Sequence, residues 1–580
     1  MNLTGQSSSV RPWKPLEFDE EQATALASEA NLNPWIARLL IQRGISTAAE
    51  AHAFLEPRML DLLQPDEIPD IDVAVEMILA VRDAGGTIAV FGDYDVDGIS
   101  GTAVLLEMLQ HLGVETVHRL PNRVSDGYGL HPQVIDGFAE AQVDLIVTVD
   151  GGSNDLEALQ RAQQLGIEVI VTDHHPVHQV IEGVPLVHPD RPDRPSPSRG
   201  LCGAGVAYKL CWALAREDAG GEKVDDRTRD LLVELLAFTS LGTVADVVPL
   251  VGENRIIVKH GLRALAVTRR PGLEALMDLC RIDRQQLDAV DIGFRIGPHL
   301  NAAGRIGDAD EALELLLTDD RQRGQQLAQQ LSALNLQRKE IETQVVEDCR
   351  QELKDGLHPQ QGPVIFARQG WHPGVVGIVA ARMSEQLHRP VWVLSIEDDI
   401  ARGSGRSVPE LPLSDLYPVM RPQVQRIGGH SAAGGLTMLS DQIDSLRQTL
   451  AQYQTSLVVS SDPPVRLYDL ELKPAQLTLS LAEDVARLAP FGQANAQPLF
   501  KISGLRTDGT PRLVGRGEEH VQVTFRGDET RIPAIWFRAA GRARELTAGG
   551  EVTVLAHIGV NQFRGRHLQL QIIDILPAPR

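Results

Sequence analysis

Between residues 76 and 190 the chain alternates short apolar strands, rich in β-branched residues, with helical stretches. The strand-like runs include "GGTIAVFGDYDVDG", "VETVHRL", "VDLIVTVDGG", "IEVIVTDHH" and "VPLVHPD". Helical sequences such as "ISGTAVLLEMLQHLG" and "DLEALQRAQQLG" separate them. Because strand–helix–strand units form parallel sheets that are covered on both faces, this pattern predicts an α/β domain built on a parallel sheet.

Three of these strands end in acid-rich turns. Asp93, Asp95 and Asp97 follow the first strand, Asp150 follows a later one, and Asp173, His174 and His175 follow the next. The carboxyl ends of parallel strands meet at one edge of the sheet, so we expect these side chains to converge there. Asp246, in the apolar stretch "GTVADVVPL", is a further candidate, because a carboxylate is rarely buried without a partner or a metal.

This set of side chains points to metal chemistry. Closely spaced carboxylates repel one another unless a cation neutralises them. An EF-hand is excluded, since position 12 counted from Asp93 is Val104 and not glutamate. A mixed carboxylate and imidazole set favours Mn²⁺, with Mg²⁺ as the alternative, and so many ligands fit two ions. Two such ions commonly hydrolyse phosphate esters.

The rest of the chain is expected to add further domains. Residues 200–320 look mostly helical, and Leu327, Leu331 and Leu334 keep the 3–4 spacing of one helix face in a long connecting helix. A second α/β segment spans about 361–455. Short strands with Gly turns after "SSDPPVR" predict a small β-barrel of the OB type.

Charge and cysteine usage narrow the class of protein. The net charge is −23, yet residues 501–580 carry 12 Lys/Arg and 8 Asp/Glu, a local net of +4. A basic barrel can bind phosphate backbones on an otherwise acidic chain. Four cysteines without a CxxC pair disfavour a disulfide framework or a zinc ribbon. No signal-peptide pattern or apolar run long enough to cross a bilayer occurs, so we expect a cytoplasmic location and no membrane partner.

The ordered motifs resemble those of the DHH phosphoesterase superfamily. The resemblance rests on the acids at 93–97, on Asp150, on "DHH" at 173–175 and on Asp246, followed by "GPHLNAAGR", "GWHPGVVGIVAAR", "RGSGRS" and "GGHSAAGG". Within the superfamily, this order is most similar to the exonucleases specific for single-stranded DNA. The resemblance implies a 5′-to-3′ exonuclease that releases mononucleotides in DNA recombination and repair.

The resemblance also implies roles for individual residues. Asp95, Asp97, Asp150, His174 and Asp246 match metal ligands, and Asp150 matches the carboxylate that bridges two ions. Asp93 occupies the position of the first acid, either as a ligand or behind one. In the catalytic set, His175 faces the scissile phosphate, Asp173 orients a histidine, and Arg305 binds the phosphate.

Substrate contacts are expected mainly in the second α/β segment. Its "GGHSAAGG" loop resembles a phosphate-contacting loop in which glycines let backbone N–H groups approach the ligand. Arginines of "ARGSGRS" can pair with the DNA backbone, and an aromatic pair can stack on bases. The full set of predicted substrate-binding residues is Asn301, Trp371, His372, Arg402, Ser404, Arg406, Gly428, Gly429, His430, Ser431 and Gly434.

Three positions depart from the pattern of the relatives. His299 stands where an arginine is usual, and Ala494 and Ala496 replace a usual Gly and Pro. A phosphate contact at His299 would be weaker or dependent on pH. The two alanines leave the entry into the barrel uncertain.

The expected organisation is five segments. They are an N-terminal helical extension (1–75), a DHH catalytic domain (76–315), a connecting helix (316–358), a DHH-associated substrate-binding domain (359–458) and an OB-like nucleic-acid-binding domain (465–580). Single-stranded DNA is the expected substrate, and the resemblance adds a single-strand-binding protein and a RecQ-type helicase as partners. Two alternatives stay open: hydrolysis of oligoribonucleotides or small phosphate substrates, and a non-catalytic scaffold.

Overall fold

The computed structural model describes residues 12–123, 127, 129–221, 223–358, 362–453, 465–527, 530–562 and 565–577. Two compact units divide the chain. The described parts of Gln64–Asp246 and Gly261–Ser460 form the catalytic unit, and those of Met1–Leu63, Val247–His260 and Ser461–Arg580 form the barrel unit. No helix among the described residues is both long and apolar enough to span a bilayer.

The catalytic unit is built first around a five-stranded, fully parallel sheet in the order β3-β2-β4-β5-β6. The strands are β2 (Thr87–Gly92), β3 (Glu115–Arg119), β4 (Leu145–Val149), β5 (Glu168–Thr172) and β6 (Leu186–Val187). The helices beside them are α4 (Ile71–Ala84), α5 (Val96–His111), α6 (Pro132–Glu140) and α7 (Leu156–Leu165). Strands β2 and β4 are almost wholly buried, as expected for a sheet covered on both faces.

Helices dominate the region that follows this sheet. They are α8 (Gly203–Asp218), α9 (Asp226–Ala245), α10 (Gly252–Val267), α11 (Pro271–Leu279), α12 (Ala289–Asp291), α13 (Gly297–Ile306), α14 (Ala309–Leu317) and α15 (Arg321–Lys354). A π-helical turn, Ile292–Ile296, joins α12 to α13. The long helix α15 buries Leu327 and Leu331, the stripe that the 3–4 spacing predicted.

A second sheet in the catalytic unit has the order β10-β11-β9-β8-β7. Its strands are β7 (Val364–Gln369), β8 (Val391–Glu397), β9 (Ile400–Arg406), β10 (Arg426–Gly429) and β11 (Ala433–Leu439), with helices α16 (Val376–Leu387), α17 (Tyr417–Met420) and α18 (Ile443–Tyr453). Only β7 and β8 are parallel, so this α/β sheet is mixed. The glycine-rich motif forms the β10–β11 hairpin.

The barrel unit contains a closed β-barrel. The C-terminal strands of this unit are β12 (Arg466–Tyr468), β13 (Leu470–Leu472), β14 (Phe500–Thr507), β15 (Arg512–Val514), β16 (His520–Arg526), β17 (Arg531–Trp536), β18 (Glu551–Asn561) and β19 (His567–Pro577). Pairing runs β14-β18-β19-β17-β16, and a further β14–β16 pairing closes this five-stranded ring. Closure removes free edges, which is the arrangement of an OB-fold.

The N-terminal helices share the core of the barrel. Strand β1 (Trp13–Pro15) pairs with β12, and helices α1 (Glu20–Glu29), α2 (Pro34–Ile41) and α3 (Ala48–Leu55) follow it. Leu39 and Leu40 belong to the same buried cluster as Phe500 and Phe525. The segment predicted as a helical extension therefore packs with the barrel as one folded unit.

Candidate metal centre and substrate cleft

The predicted ligands converge at the carboxyl edge of the parallel sheet. Three overlapping groups have ligand atoms within 4.8 Å of one another: Asp150 with His174 and His175; Asp97 with His174 and Asp246; and Asp93 with Asp95 and Asp150. His174 Nε2 lies 3.1 Å from Asp150 Oδ1, 3.6 Å from Asp246 Oδ2 and 3.8 Å from Asp97 Oδ2. Two groups share Asp150 and two share His174, which is the pattern of adjacent ion positions.

Local structure explains why the first acids point inward. Asp95 is the N-cap of α5, where its Oδ1 accepts hydrogen bonds from the N–H groups of Asp97 and Gly98. Asp97 lies in the first turn of that helix. Its carboxylate accepts hydrogen bonds from the backbone N–H groups of Gly203 and Ala204, at 2.6 and 2.9 Å, at the start of α8.

The electrostatics of the site favours a bound cation. Burial, followed by the neighbouring Asp95, raises the pKa of Asp93 to about 8. Burial, followed by Asp97, raises the pKa of Asp246 to about 8 and that of Asp150 well above its usual value. Asp150 Oδ1 and His174 Nε2 are buried without a hydrogen-bond partner among the described residues. Oxygen and imidazole atoms in this condition fit divalent cations such as Mn²⁺ or Mg²⁺.

Asp173 lies behind the histidines. One of its oxygens accepts hydrogen bonds from the N–H groups of His174 and His175 and contacts His175 Nδ1 at 2.8 Å, and the other accepts from Ser153 N–H. Burial opposes ionisation of Asp173, but these hydrogen bonds and the charge of His175 outweigh it and hold its pKa below the usual range. The same contacts raise the pKa of His175 to about 9 against the opposing effect of burial. Asp173 therefore orients His175, and its oxygens are engaged in doing so.

Helix α13 brings two more predicted residues to the centre. Asn301 Oδ1 accepts a hydrogen bond from Val96 N–H, beside the Asp95 cap. Arg305 is largely buried, and burial, with Arg123 and Arg338 adding, lowers its pKa to about 10. One ring nitrogen of His299 is engaged within the helix, since its Nδ1 lies 2.6 Å from the Arg295 carbonyl of the preceding turn. Burial lowers the pKa of His299, which opposes an imidazolium contact with phosphate.

A cavity of about 770 Å³ adjoins the metal-ligand turn. Tyr94, between Asp93 and Asp95, lines it, and Arg123 lies over the Tyr94 ring at 4.2 Å. Its basic lining residues are Arg123, Arg402, Arg421 and Arg426, and none of the described residues lining it is acidic. We call this space the arginine cavity.

The second sheet supplies the opposite wall of the arginine cavity. Arg402, Ser404 and Gly428 line it. A Cβ added at Gly428 would meet open space, whereas one at Gly434 would lie 2.3 Å from the Tyr417 hydroxyl. Gly429, His430 and Ser431 are exposed at the hairpin tip. Arg406 is half-buried next to them in β9, and burial lowers its pKa.

The prediction that Trp371 stacks on a base is wrong. Its side chain is 5% exposed within a buried apolar cluster, and its indole N–H donates to Asp348. His372 is half-buried, and its Nδ1 accepts a hydrogen bond from Gly374 N–H in its own loop. In the sequence, Trp371 beside His372 resembles a pair that stacks on bases. In the fold, a helix packs against the Trp371 side chain and keeps it buried.

Several contributing residues had no clear signal in the sequence. Arg123 follows β3 without a motif, and the N–H groups of Gly203 and Ala204 act through the backbone. Gly242 is required by packing, since a Cβ there would lie 2.4 Å from Asp97 Oδ1. In the sequence, only the run "LCGAG" before an apolar helix indicates this close packing, because small residues at a helix start allow another backbone to approach closely.

Comparison with known proteins agrees with this geometry. The model of the DHH family N-terminal domain matches residues 87–238, the DHHA1 domain matches 361–456, and the RecJ OB domain matches 468–574. The single-stranded-DNA-specific exonuclease RecJ of Escherichia coli (strain K12) is 35% identical over 584 residues, covering 94% of this chain and 96% of that protein.

Solved structures give the same result. The crystal structure of RecJ from Thermus thermophilus in complex with Mn²⁺ superposes with a TM-score of 0.80 at 28% identity, covering 98% of this chain and 80% of that one. The Mg²⁺ complex of the same protein gives a TM-score of 0.75, with coverage of 98% and 79%. The chain therefore belongs to the RecJ family of DHH proteins.

Proposed function

We propose that this protein is a metal-dependent exonuclease specific for single-stranded DNA, which degrades the strand from its 5′ end and releases mononucleotides. The observation that carries the proposal is that Tyr94, between the predicted ligands Asp93 and Asp95, lines the arginine cavity. A polyanion held by the arginines would present a phosphodiester to the metal centre. Membership of the RecJ family supports the polarity and a role in recombination and repair.

The metal ligands in this proposal are Asp95, Asp97, Asp150, His174 and Asp246, with Asp93 adjoining Asp95 and Asp150. Two bound divalent cations would supply electrophilic activation of the phosphate and would neutralise the charge of attacking and leaving oxygens. The chain provides a buried set of carboxylates whose pKa values are raised by burial and by one another.

Other residues of the chain act on the phosphate itself. His175, held through its Nδ1 by Asp173, lies at the edge of the ligand cluster and would offer its imidazole to the phosphate. Arg305 adds a guanidinium from α13. Preorganised donors of this kind stabilise the charge that develops on phosphoryl oxygens.

The substrate-binding assignment concerns the wall opposite the metal centre. Arg402, Ser404 and Gly428 face the arginine cavity, and Gly429, His430 and Ser431 are exposed at the tip of the hairpin. Arg406 and Gly434 shape the base of that hairpin, since Gly434 pairs with Gly405 and packs under Tyr417. Asn301 positions the Asp95 turn, and His372 is kept as a candidate for base contact.

The barrel is proposed to hold the strand that is not yet cleaved. Arg512 and Arg516 are exposed on its β15 side, and no carboxylate among the described residues pairs with them. Changing both to glutamate should weaken binding of a long oligonucleotide without changing cleavage of a dinucleotide. Substitution is preferable to deletion because the N-terminal helices share the barrel core.

Location and protein partners form a further proposal. Cys202, Cys211, Cys280 and Cys349 are all unpaired thiols, which supports a reducing, cytoplasmic environment. A single-strand-binding protein and a RecQ-type helicase are proposed as partners on family membership alone. Co-purification of the tagged full chain with each purified candidate tests them.

One digestion experiment tests the central proposal. Single-stranded DNA, duplex DNA and RNA, each labelled at the 5′ or the 3′ end, are incubated with the protein and Mn²⁺ or Mg²⁺. We expect immediate release of a labelled mononucleotide from 5′-labelled single-stranded DNA and progressive shortening of the 3′-labelled strand. Preference for RNA would favour the alternative of an oligoribonucleotide hydrolase, and no cleavage with either metal would favour a scaffold.

A further inference from the structure

The described phenylalanines are buried or half-buried with two exceptions, Phe294 and Phe537. Phe294 has 79% of its surface exposed, and Phe537, in the barrel unit, has 51%. Within the catalytic unit the described Tyr and Trp residues near the cleft, Tyr94, Trp371 and Tyr417, are all buried. Leaving a whole phenylalanine ring in water costs about 1.5–3 kcal/mol relative to burying it, so its position requires an explanation.

The backbone at Phe294 is also unusual. The residue lies in the π-helical turn Ile292–Ile296, which interrupts the passage from α12 into α13. Such turns appear mostly as single interruptions and frequently at functional sites. A Cβ added at Gly293 would lie 3.8 Å from Val244, and one at Gly297 would lie 4.0 Å from Ala245. The turn therefore packs against the end of α9, immediately before the predicted ligand Asp246.

Helix α13, which follows the turn directly, connects Phe294 to the metal-ligand turn. Asn301 of α13 accepts from Val96 N–H beside the Asp95 cap, and it lies seven residues after Phe294. With a rise of ~1.5 Å per residue, Phe294 lies on the order of 10 Å along the helix from that contact. This distance corresponds to about three stacked nucleotides of one strand.

Cations lie near the turn together with the carboxylates of Asp288 and Asp291, which cap the helix before it. Arg295 donates to the carbonyl of Arg281 and also pairs with Asp291. Lys339 of α15 is close enough to His299 and Cys280 to influence their pKa values. Arg281 and Lys339 are exposed, and no carboxylate among the described residues forms an ion pair with them. An exposed aromatic ring in the same region as unpaired cations is a combination that binds single-stranded nucleic acid.

We propose that Phe294 is a stacking platform for a base of single-stranded DNA, placed beside the metal centre on the π-helical turn. The inference rests on the proposed function and specifies a residue that grips the strand. Stacking needs an unpaired base with a free face, so the platform favours single strands over duplex. Phe294 takes the base-stacking role that the sequence predicted for Trp371.

Binding measurements with EDTA, which prevents cleavage, test the platform. Affinity for a 3′-fluorescein-labelled 20-nucleotide oligo-dT is measured by fluorescence anisotropy for wild type, Phe294→Ala, Phe294→Leu and Phe294→Trp. Because stacking contributes ~1–3 kcal/mol per base, we expect the Ala and Leu variants to raise Kd roughly tenfold. The Trp variant should keep the affinity and show DNA-dependent quenching beyond that of wild type.

A matched control lies in the same segment. Val290 is 54% exposed but aliphatic, and Val290→Ala should leave Kd unchanged. Circular dichroism of each variant reports folding. Equal Kd values for wild type, Phe294→Ala and Phe294→Leu, or a Trp variant quenched no more than wild type, would overturn the inference while leaving the nuclease proposal intact. A wild type that neither binds nor cleaves the oligonucleotide would overturn both.

Cleavage with Mn²⁺ gives a second readout. Loss of the platform should raise KM for the 20-nucleotide strand and leave kcat for a dinucleotide unchanged, since a dinucleotide does not reach the ring. An equal fall in kcat for both substrates would mean that Phe294 supports the structure of the metal centre instead.

Discussion

Asp150 combines three properties that are costly in a folded protein. It has a left-handed backbone conformation, with φ of 62°, it is buried, and its Oδ1 has no hydrogen-bond partner among the described residues. A non-glycine residue in this region costs ~1–3 kcal/mol and persists where function requires it. Gly203 packs against its side chain so closely that an added Cβ would lie 2.4 Å from Asp150 Cβ. These costs fit a carboxylate that is fixed in place for metal binding.

Replacing Asp150 by asparagine keeps its shape and removes its charge. We expect Mn²⁺-dependent cleavage to fall at least ~100-fold. Changes to residues that only support a metal ligand cost up to ~100-fold, and the loss of a ligand should cost at least as much. Affinity for single-stranded DNA should stay unchanged, because the arginine cavity is untouched. Asp136→Asn, on the surface of α6, is the control. Full activity of Asp150→Asn would contradict the assignment of Asp150 as a shared ligand.

At the scale of elements, the metal centre depends on close packing of helix ends. The start of α8 donates two N–H groups to Asp97, and the last turns of α9 place Gly242 against the same carboxylate. A second element, the turn Gly492–Asn495, contains Ala494 with φ of 59°, a conformation that favours glycine. At the end of α9 the absence of a methyl group at Gly242 leaves room for Asp97. In the turn the methyl group of Ala494 is present at a positive φ.

Gly242→Ala should displace Asp97, because the new Cβ would lie 2.4 Å from Asp97 Oδ1 and 2.7 Å from Ala204 Cβ. We expect Mn²⁺ affinity to fall ~10- to 100-fold, as for other changes that disturb the support of a ligand. Isothermal titration calorimetry measures the affinity. Gly221→Ala, where an added Cβ meets nothing within 4 Å, is the matched control and should bind Mn²⁺ normally.

Ala494→Gly should stabilise the barrel unit. Glycine adopts positive φ without the steric cost that alanine has, although it also gains entropy in the unfolded chain. The two effects leave an expected increase of up to ~1 kcal/mol in the free energy of unfolding. Urea denaturation compares the variant with wild type, and a clear loss of stability would show that the turn tolerates alanine without strain.

At the scale of the whole molecule, the acidic cluster links stability to metal and pH. Asp93 and Asp246 have pKa values of about 8 in the folded metal-free protein against an ordinary 3.8. Between these values the folded state binds more protons than the unfolded state, so stability must fall as pH rises from about 4 to about 8. Mn²⁺ replaces those protons and should stabilise most at the alkaline end.

Thermal unfolding with EDTA or Mn²⁺ between pH 5 and pH 8.5 measures this linkage. We expect Tm in EDTA to fall with rising pH and the increase in Tm caused by Mn²⁺ to grow. Asp246→Asn removes one titrating group and should flatten the EDTA profile. An EDTA profile that rises with pH, or one that Asp246→Asn leaves unchanged, would be inconsistent with the shifted carboxylates.

The sequence alone determined the strand–helix alternation and the acids at strand ends. The apolar runs that end in "GDYDVDG", "TVDGG" and "VTDHH" form buried parallel strands. Parallel pairing then brings the carboxyl ends of these strands to one edge of the sheet. Asp95, Asp150 and His174 could be placed for this reason. The long helix α15 followed from its leucine spacing in the same manner.

Only the tertiary structure decided which side chains face the substrate and which are buried. Trp371 is buried by a helix distant in sequence, Phe294 is exposed by a π-helical turn, and Arg123 reaches the cleft from a loop without a motif. Helices α1–α3 join the barrel core through apolar contacts more than 400 residues away in sequence. Local patterns report the period and polarity of an element, whereas exposure depends on what packs against it, and that is settled only when the distant parts of the chain meet.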